Sequence, residues 1–391
     1  MQAAGLRSCS GAVVQNFGSA LSGGAAAAAR TNAVIVAVRR PAATVGRSGE
    51  LTSSLLPQSK QLFSPRSPPS TAARAVTPVR MAADENGSTS GKDAPFLTDA
   101  AQLISGVETF VFDCDGVIWK GDKLIDGVPE TLDMLRSLGK KLIFVTNNST
   151  KSRKQYGKKF ESLGLNVSEE EIFSSSFAAA GYLSSINFPA DKKVYIIGEI
   201  GIQLELEQAG IKHLGGPEDG DKKIDLAPGK YMEHDDEVGA VVVGFDRYVN
   251  YYKLQYATLC IRENPGCLFI ATNCDAVTHL TDAQEWAGGG SMVGAIKGST
   301  KKEPTVVGKP STFMLDYLAD KFKISKKQIC MVGDRLDTDI LFGQNGGCKT
   351  LLVLSGVTDL KTLQSPENSI QPDFYTNQLS DLLAAQKVAA V

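Results

Sequence analysis

The sequence predicts an α/β protein organised around a Rossmann-like parallel sheet. Two apolar segments, 107–112 and 141–146, are rich in β-branched and aromatic residues, as is typical of strands buried in a parallel sheet. Each precedes a predicted helix, one over about 130–137 and one that runs from a cap at Ser149–Thr150 to about 163. Connections this short favour right-handed crossovers. Both strands end in polar residues, so we expect a ligand site at the carboxyl edge of the sheet.

Composition argues against several classes of function. The chain of 391 residues has a formal net charge of -2, which provides no electrostatic attraction to nucleic acid or to an anionic membrane. Its apolar runs fall short of the roughly 20 residues that span a bilayer. The 7 cysteines are scattered, without a zinc spacing or a disulfide framework, so we expect a reducing compartment. We therefore expect no nucleic acid and no membrane among the partners.

Residues 1–80 differ in composition from the rest of the chain. They are rich in Ala, Ser, Gly and Pro, carry several arginines and contain Glu50 as their only acid. This composition predicts a disordered organelle transit peptide, with a disordered tail that has no targeting role as the alternative. Cleavage is expected between about residues 73 and 83. Residues 81–103 are predicted to form a polar linker with a short helix near 97–103.

Two carboxylates, Asp113 and Asp115, end the first strand, and Gly116 lets the chain turn away from them. Because aspartate is common in ordinary turns, this pair alone does not indicate a site. Three later stretches also place polar groups at strand ends or helix starts, namely Thr146-Asn147-Asn148, Lys309 before Pro310, and the acids of 334–339. Together these residues predict phosphoryl transfer with Mg²⁺. They provide a carboxylate nucleophile, an acid/base group, neutral hydrogen-bond donors, one cation and metal-binding carboxylates.

A second α/β unit is predicted between Thr146 and Lys309, because the interval is too long for a connection. It covers 177–287 and contains an exposed loop, 215–237. Gly288–Gly290 is interpreted as a flexible crossing back to the first unit, since the Lys-Ser/Thr of a P-loop is missing. The predicted elements of this unit and of the chain that follows are strands at 193–197, 240–245, 268–271 and 350–354, a strand that ends at Asp334, and helices at 204–209, 250–263, from 291, at 312–322, from 338 and at 379–388.

The four motifs together resemble those of the haloacid-dehalogenase superfamily. The stretches 112–117, 146–148 and 307–311 are similar to the branch that contains phosphoglycolate phosphatase and 4-nitrophenylphosphatase, and the resemblance extends over nearly all of 104–391. It implies a Rossmann-like core with a parallel sheet and a large inserted α/β cap domain. It also implies a chloroplast stroma location and a homodimer formed through the cap. The implied division is a core of 104–176 and 288–391 and a cap of 177–287.

The resemblance further implies Mg²⁺-dependent hydrolysis of 2-phosphoglycolate to glycolate, a photorespiratory reaction, through an aspartyl phosphate. Asp113 would be the nucleophile, and Asp115 would be the general acid and then the general base. Asp115 must arrive protonated, which burial near other acids would favour. Thr146, Asn147 and Asn148 would donate hydrogen bonds to the phosphoryl oxygens.

Mg²⁺ is the cofactor that the resemblance implies. Its protein ligands would be Asp113, Asp334 and the backbone carbonyl of Asp115, with water molecules completing the shell. Lys309 would bind the phosphoryl group and neutralise charge on it and on the nucleophile. Asp339 would lie behind these groups and orient Lys309.

Substrate choice is expected to depend on the cap. Arg247 is a candidate ligand for the carboxylate of the substrate, with an ordinary surface arginine as the alternative. Cys274 stands where relatives carry a bulkier, often basic residue, while Asp337 is expected to be solvated and Cys114 to pack behind the site. Two other functions stay open. One is a broader small-molecule phosphatase that acts on pyridoxal phosphate or 4-nitrophenyl phosphate; the other is a non-catalytic scaffold, against which the complete set of motif residues argues.

Overall fold

Two large parallel β-sheets form the framework of the residues that the computed structural model describes, 94–281 and 283–385. Among these residues the first sheet has six strands and the second has five. The strands of the first sheet are, from edge to edge, Phe374–Thr376, Lys349–Val353, Ile329–Gly333, Thr109–Phe112, Lys141–Thr146 and Ile172–Ser174. The predicted α/β fold with a parallel sheet is confirmed.

The central strand of the first sheet, Thr109–Phe112, is completely buried. It pairs with Ile329–Gly333 on one side and with Lys141–Thr146 on the other, in both cases in parallel. Its alternate side chains belong to two different hydrophobic clusters, because successive residues of a strand point to opposite faces. Since all three strands are parallel, the polar residues that follow them meet at one edge of the sheet.

The helix that follows the strand Lys141–Thr146 starts later than predicted. It spans Arg153–Ser162 and is capped by Ser152, whose hydroxyl accepts a hydrogen bond from the backbone amide of Gln155. The predicted cap at Ser149–Thr150 is therefore wrong. The carbonyl of Thr150 instead accepts a hydrogen bond from the amide of Gly201, in helix Ile200–Gln208. This helix belongs to what we call the second layer, the five-stranded second sheet with the helices packed on it. The other α-helices of the described residues are Ala100–Ser105, Val128–Ser137, Ser175–Ser185, Ile200–Gln208, Tyr251–Glu263, Gly289–Thr300, Phe313–Phe322, Leu341–Asn345 and Leu360–Leu363.

The second sheet contains the three strands predicted for the inserted unit. Its strands are, from edge to edge, Thr305–Val306, Leu268–Ala271, Val238–Val243, Lys193–Ile197 and His213–Gly215. Because these strands are parallel as well, their carboxyl ends also share one edge. The division of the chain into a core domain and a cap domain stays a prediction.

The second layer continues beyond residue 287, where the inserted unit was predicted to end. Helix Gly289–Thr300 packs against helix Tyr251–Glu263, and Thr305–Val306 is an edge strand of the second sheet. Gly288–Gly290 is therefore not a flexible crossing. A Cβ on Gly290 would lie 2.5 Å from the carbonyl oxygen of Cys274, so the glycine permits close packing of the helix start.

Some predicted elements differ in extent from the observed ones. One helix was predicted from 338, but a π-helical turn, Leu336–Ile340, precedes helix Leu341–Asn345. The predicted last helix begins as a 3₁₀ helix, Leu379–Leu383, and residues 386–391 lie outside the described chain. The predicted transit peptide and most of the linker also lie outside it. None of the helices in the described part of the chain is long and apolar enough to cross a membrane.

A buried ion pair joins the two layers. Arg153 Nε lies 3.1 Å from Oε2 of Glu205, and the backbone amide of Arg153 donates a hydrogen bond of 2.6 Å to Oε1 of the same carboxylate. The guanidinium carbon also lies 3.9 Å from the ring centroid of Phe177. Burial raises the pKa of Glu205, and the neighbouring arginine opposes that shift. This ion pair thereby attaches helix Arg153–Ser162 to helix Ile200–Gln208 of the second layer.

Candidate active site

Lys309 lies at the centre of a buried cluster of charges. Its ammonium group forms ion pairs with Asp113 and with Asp339, the latter at 2.7 Å. Burial raises the pKa of Asp113 well above its usual value, and the charge of Lys309 opposes that shift. For Lys309 itself burial lowers the pKa, but the two carboxylates outweigh this effect and the net shift is upward. The lysine is therefore a cation at neutral pH.

Asp334 lies directly beyond the carboxyl end of a central strand and is enclosed by glycines. Its Oδ2 accepts a hydrogen bond of 2.8 Å from the backbone amide of Val357. A Cβ on Gly356 would lie 1.9 Å from this oxygen, and a Cβ on Gly116, whose φ is +86°, would lie 2.3 Å from it. Burial, together with the charge of Asp339, raises the pKa of Asp334 to about 7. Glycine is thus needed at both positions for the carboxylate to fit.

The acids of this cluster fit a divalent cation. One carboxylate oxygen from each of Asp113, Asp334 and Asp339 lies within 4.8 Å of the others, and all three residues are buried. Asp339 is already occupied, because its Oδ1 accepts from Lys309 and its Oδ2 accepts from the backbone amides of Asp334 and Arg335. Asp113 and Asp334 are therefore the carboxylates best placed to hold such a cation, which prefers oxygen ligands. Three neighbouring buried acids with one ammonium partner favour its binding as well.

Asp115 has a different environment from the other acids. It is exposed, and its Oδ1 accepts a hydrogen bond of 2.8 Å from the indole nitrogen of the buried Trp119. The burial that would favour a protonated Asp115 is therefore not observed, and its role as the acid/base group stays a prediction. Asp113 directly follows the buried strand and is itself buried, whereas the turn after it brings Asp115 to the surface. This position leaves the Asp115 carboxylate accessible to a leaving group that enters from solvent.

The polar residues after the strand Lys141–Thr146 have distinct partners. The buried hydroxyl of Thr146 accepts a hydrogen bond of 3.2 Å from the amide of Asn148, which leaves the hydroxyl proton free to donate. The side chain of Asn147 is bonded to the backbone of Lys309 and to the carboxylate of Asp275. Both N–H groups of the Asn147 side chain are therefore occupied, and in this arrangement the side chain cannot donate the predicted hydrogen bond to a phosphoryl oxygen.

The predicted cap residues lie outside the charged cluster. Arg247 forms two hydrogen bonds, of 2.7 Å and 2.8 Å, to the two carboxylate oxygens of Glu199. Its guanidinium is thus partly engaged before any substrate binds, and its role as a carboxylate ligand stays a prediction. Cys274 is exposed and Cys114 is buried. Asp337 is exposed and pairs with Arg335, as expected for a solvated member of the run.

Sequence reasoning missed Asp275 and Asn273 as components of this region. They follow a strand of the second sheet, and the Nδ2 of Asn273 donates a hydrogen bond of 2.7 Å to the carbonyl of Asn147. Their position at the carboxyl end of a parallel strand was a usable signal. What the sequence did not indicate was that this edge of the second sheet faces the polar edge of the first.

Comparisons with known proteins identify the family of the chain. The pattern of the haloacid dehalogenase-like hydrolases matches residues 110–212, and a related HAD-hydrolase pattern matches residues 306–382. Phosphoglycolate phosphatase 1A, chloroplastic, from Arabidopsis thaliana is 80% identical over 288 residues, which cover 74% of this chain and 80% of that protein. The 4-nitrophenylphosphatase of Schizosaccharomyces pombe is 38% identical over 286 residues, which cover 72% of this chain and 95% of that protein.

Solved structures show the same fold. The p-nitrophenyl phosphatase from Archaeoglobus fulgidus is similar with a TM-score of 0.62 and 33% identity, covering 71% of this chain and 99% of that one. A glycerol phosphate phosphatase from Mycobacterium tuberculosis, solved in complex with magnesium, has a TM-score of 0.60 and 26% identity, covering 72% of this chain and 77% of that one. The chain therefore belongs to the haloacid dehalogenase-like hydrolase family, in the group of phosphoglycolate phosphatases and 4-nitrophenylphosphatases.

Proposed function

We propose that the protein is a Mg²⁺-dependent phosphatase that hydrolyses 2-phosphoglycolate to glycolate. The observation that carries this proposal is the buried cluster of Asp113, Lys309, Asp334 and Asp339 at the edge of the first sheet. The 80% identity to a chloroplastic phosphoglycolate phosphatase supports the choice of substrate. A scaffold protein would not need a buried cation among three buried acids, which are costly to desolvate.

Asp113 is the nucleophile of the proposed reaction. One of its carboxylate oxygens attacks phosphorus, and the phosphoryl group is transferred to give an aspartyl phosphate. Lys309 holds the Asp113 carboxylate in place and provides positive charge for the phosphoryl oxygens, while the hydroxyl of Thr146 donates to one of them. A divalent cation held by Asp113 and Asp334 would offset the repulsion between the phosphate dianion and the carboxylate.

Asp115 carries out the proton transfers. In the first half-reaction it protonates the leaving alkoxide, and in the second it removes a proton from the water that hydrolyses the aspartyl phosphate. The hydrogen bond from Trp119 fixes the orientation of its carboxylate at the mouth of the site. The proton that Asp115 gives to the alkoxide is thus replaced by the proton it takes from the water.

The proposed location is the chloroplast, and more specifically the stroma. The similar Arabidopsis proteins are named chloroplastic, and the basic, acid-poor residues 1–80 have the composition of a transit peptide. In this compartment the reaction would remove a photorespiratory phosphate ester. The homodimer through the cap that the family resemblance implies also stays a proposal, which light scattering on the purified protein would test.

The test is phosphate release by protein that begins at Met81, with Mg²⁺ present. The substrates are 2-phosphoglycolate, pyridoxal phosphate and 4-nitrophenyl phosphate, and the blank is Asp113→Asn. We expect the highest kcat/KM for 2-phosphoglycolate and a loss of roughly 10³-fold or more in the variant. Similar values for all three esters would favour the second candidate, a broader phosphatase, which the engagement of Arg247 by Glu199 supports. An active Asp113→Asn would place the chemistry elsewhere.

A further inference from the structure

A single side chain amide joins three segments of the chain beside the charged cluster. The Oδ1 of Asn147 accepts a hydrogen bond of 2.8 Å from the backbone amide of Lys309, and its Nδ2 donates one of 3.0 Å to the carbonyl of Lys309. The same Nδ2 also donates to both carboxylate oxygens of Asp275 at 3.2 Å. Asn147 therefore holds both backbone groups of Lys309, and Asp275 holds Asn147.

Asp275 and the backbone groups of Lys309 together fix the orientation of this amide. If the Asn147 amide were rotated by half a turn, its oxygen would face the carboxylate of Asp275 and its nitrogen would face the amide N–H of Lys309. Both contacts would then be repulsive, since each would pair two acceptors or two donors. A carboxylate accepts hydrogen bonds and has no donor when it is ionised, so it allows only the observed orientation. The correct orientation of the amide is what fixes the backbone of Lys309.

The second layer encloses the lysine segment from another side as well. A Cβ on Gly308 would lie 2.1 Å from the carbonyl oxygen of Thr272, so the chain before Lys309 runs directly against the strand that leads to Asp275. Asn273 closes the network, because its Oδ1 accepts from the amide of Asp275 and its Nδ2 donates to the carbonyl of Asn147. The backbone of Lys309 is thus held by a loop of the second layer.

We propose that Asp275 is a positioning residue for Lys309 and acts through the side chain of Asn147. Among the described residues it forms no hydrogen bond or ion pair with the ammonium group of Lys309; through Asn147 it holds the backbone from which that group reaches Asp113. This inference rests on the proposed function, in which Lys309 binds the transferred phosphoryl group. A small displacement of the Lys309 ammonium group would weaken its interaction with the transition state more than its interaction with the bound substrate, so it would lower kcat more than it changes KM.

The first test compares Asp275→Ala with Asp275→Asn in steady-state hydrolysis of 2-phosphoglycolate at saturating Mg²⁺. We expect Asp275→Ala to lower kcat roughly tenfold to a hundredfold and to change KM by less than about threefold. Asp275→Asn keeps an acceptor oxygen of the same reach, so it should retain most of kcat. The matched control is Asp320→Ala, which removes an exposed carboxylate from the helix Phe313–Phe322 and should leave kcat unchanged. A loss confined to KM, or equal losses in both Asp275 variants, would overturn the proposal.

The second test asks whether Asp275 acts through Asn147. In a double-mutant cycle with Asn147→Ala, the doubly substituted protein should be no slower than the slower single variant, because both changes break one link. Losses that multiply would show independent actions and would overturn the proposal. If Asp275→Ala does not fold, Asn147→Ala breaks the same link from the other side, and an unchanged kcat in that variant would equally overturn it.

The choice of phosphate ester does not affect these comparisons. If the protein hydrolyses 4-nitrophenyl phosphate better than 2-phosphoglycolate, the substrate assignment fails, while the same variants measured on 4-nitrophenyl phosphate still test Asp275. If it hydrolyses neither ester, orthovanadate binding replaces turnover as the measurement. Weaker binding to Asp275→Ala than to Asp275→Asn, detected by thermal shift, would support the proposal, and equal binding would overturn it.

Discussion

Burial and the nearby carboxylate of Asp339 raise the pKa of Asp334. Its pKa of about 7 in the folded protein lies far above the value of about 3.9 for an unperturbed aspartate. The folded chain therefore binds a proton here at pH values where the unfolded chain has lost it. Since the folded pKa is raised, the contribution of Asp334 to stability is present at low pH and is lost as the pH rises from about 4 through about 7.

A first prediction concerns metal binding and pH. Because Mg²⁺ and the proton compete for Asp334, the rise in Tm on adding Mg²⁺ should be small at about pH 6 and larger at about pH 8. Thermal unfolding with and without Mg²⁺ at both pH values measures this. Asp334→Asn should abolish most of the Mg²⁺ effect at either pH. A wild-type shift of the same size at both pH values would contradict a titration of Asp334 between them, and an undiminished Mg²⁺ effect in Asp334→Asn would contradict its role as a metal ligand.

A second prediction at the residue scale concerns Gly356. In Gly356→Ala the added Cβ would lie 1.9 Å from Asp334 Oδ2, so the carboxylate must move. We expect the affinity for Mg²⁺ to fall by roughly tenfold or more, as for other changes beside a metal ligand, measured by titration calorimetry. Gly157→Ala is the matched control, because it lies within helix Arg153–Ser162 with nothing within 4 Å of the added atom. That control should keep its affinity and gain about 0.5–1 kcal/mol in unfolding free energy.

At the scale of elements, the helices Arg153–Ser162 and Ile200–Gln208 are joined by the buried pair of Arg153 and Glu205. Glu205→Ala leaves a buried guanidinium without its main partner, so we expect a loss of about 3–5 kcal/mol in the free energy of unfolding, measured in urea. The double variant Arg153→Met with Glu205→Leu removes both charges and should recover much of this loss. A loss below about 1 kcal/mol in Glu205→Ala would mean that the pair behaves like an exposed one.

The whole molecule includes residues that the described structure does not cover. The transit-peptide prediction assigns residues 1–80 to targeting, so the protein isolated from chloroplasts should begin between about residues 73 and 83. Intact-mass measurement of that protein locates its first residue, and the protein that begins at Met81 should have the same kcat. A chloroplast form that retains residue 1 would contradict the targeting role of residues 1–80. Absence of the protein from chloroplasts would contradict the proposed location.

The sequence by itself indicated which polar residues gather at the edge of the first sheet. Asp113 and Asp334 each follow an apolar strand and Thr146 ends one, and parallel strands bring their carboxyl ends to one edge, so these residues meet there. The structure places Lys309 between Asp113 and Asp339, and the roles predicted for these residues in the reaction stay predictions. The family that these motifs indicated is confirmed by the relatives. Local periodicity and strand topology are sufficient for inferences of this kind.

Only the tertiary structure decided how the second layer meets this site. Asn147 and Asp275 are 128 residues apart in the chain, and Asn147 and Lys309 are 162 apart, so no local pattern indicates that one amide joins them. The exposure of Asp115 and the end of the second layer after Val306 likewise depend on which surfaces pack together. The physical reason is that sequence periodicity reports the face on which a residue lies, whereas the contacts of that face depend on segments distant in the chain.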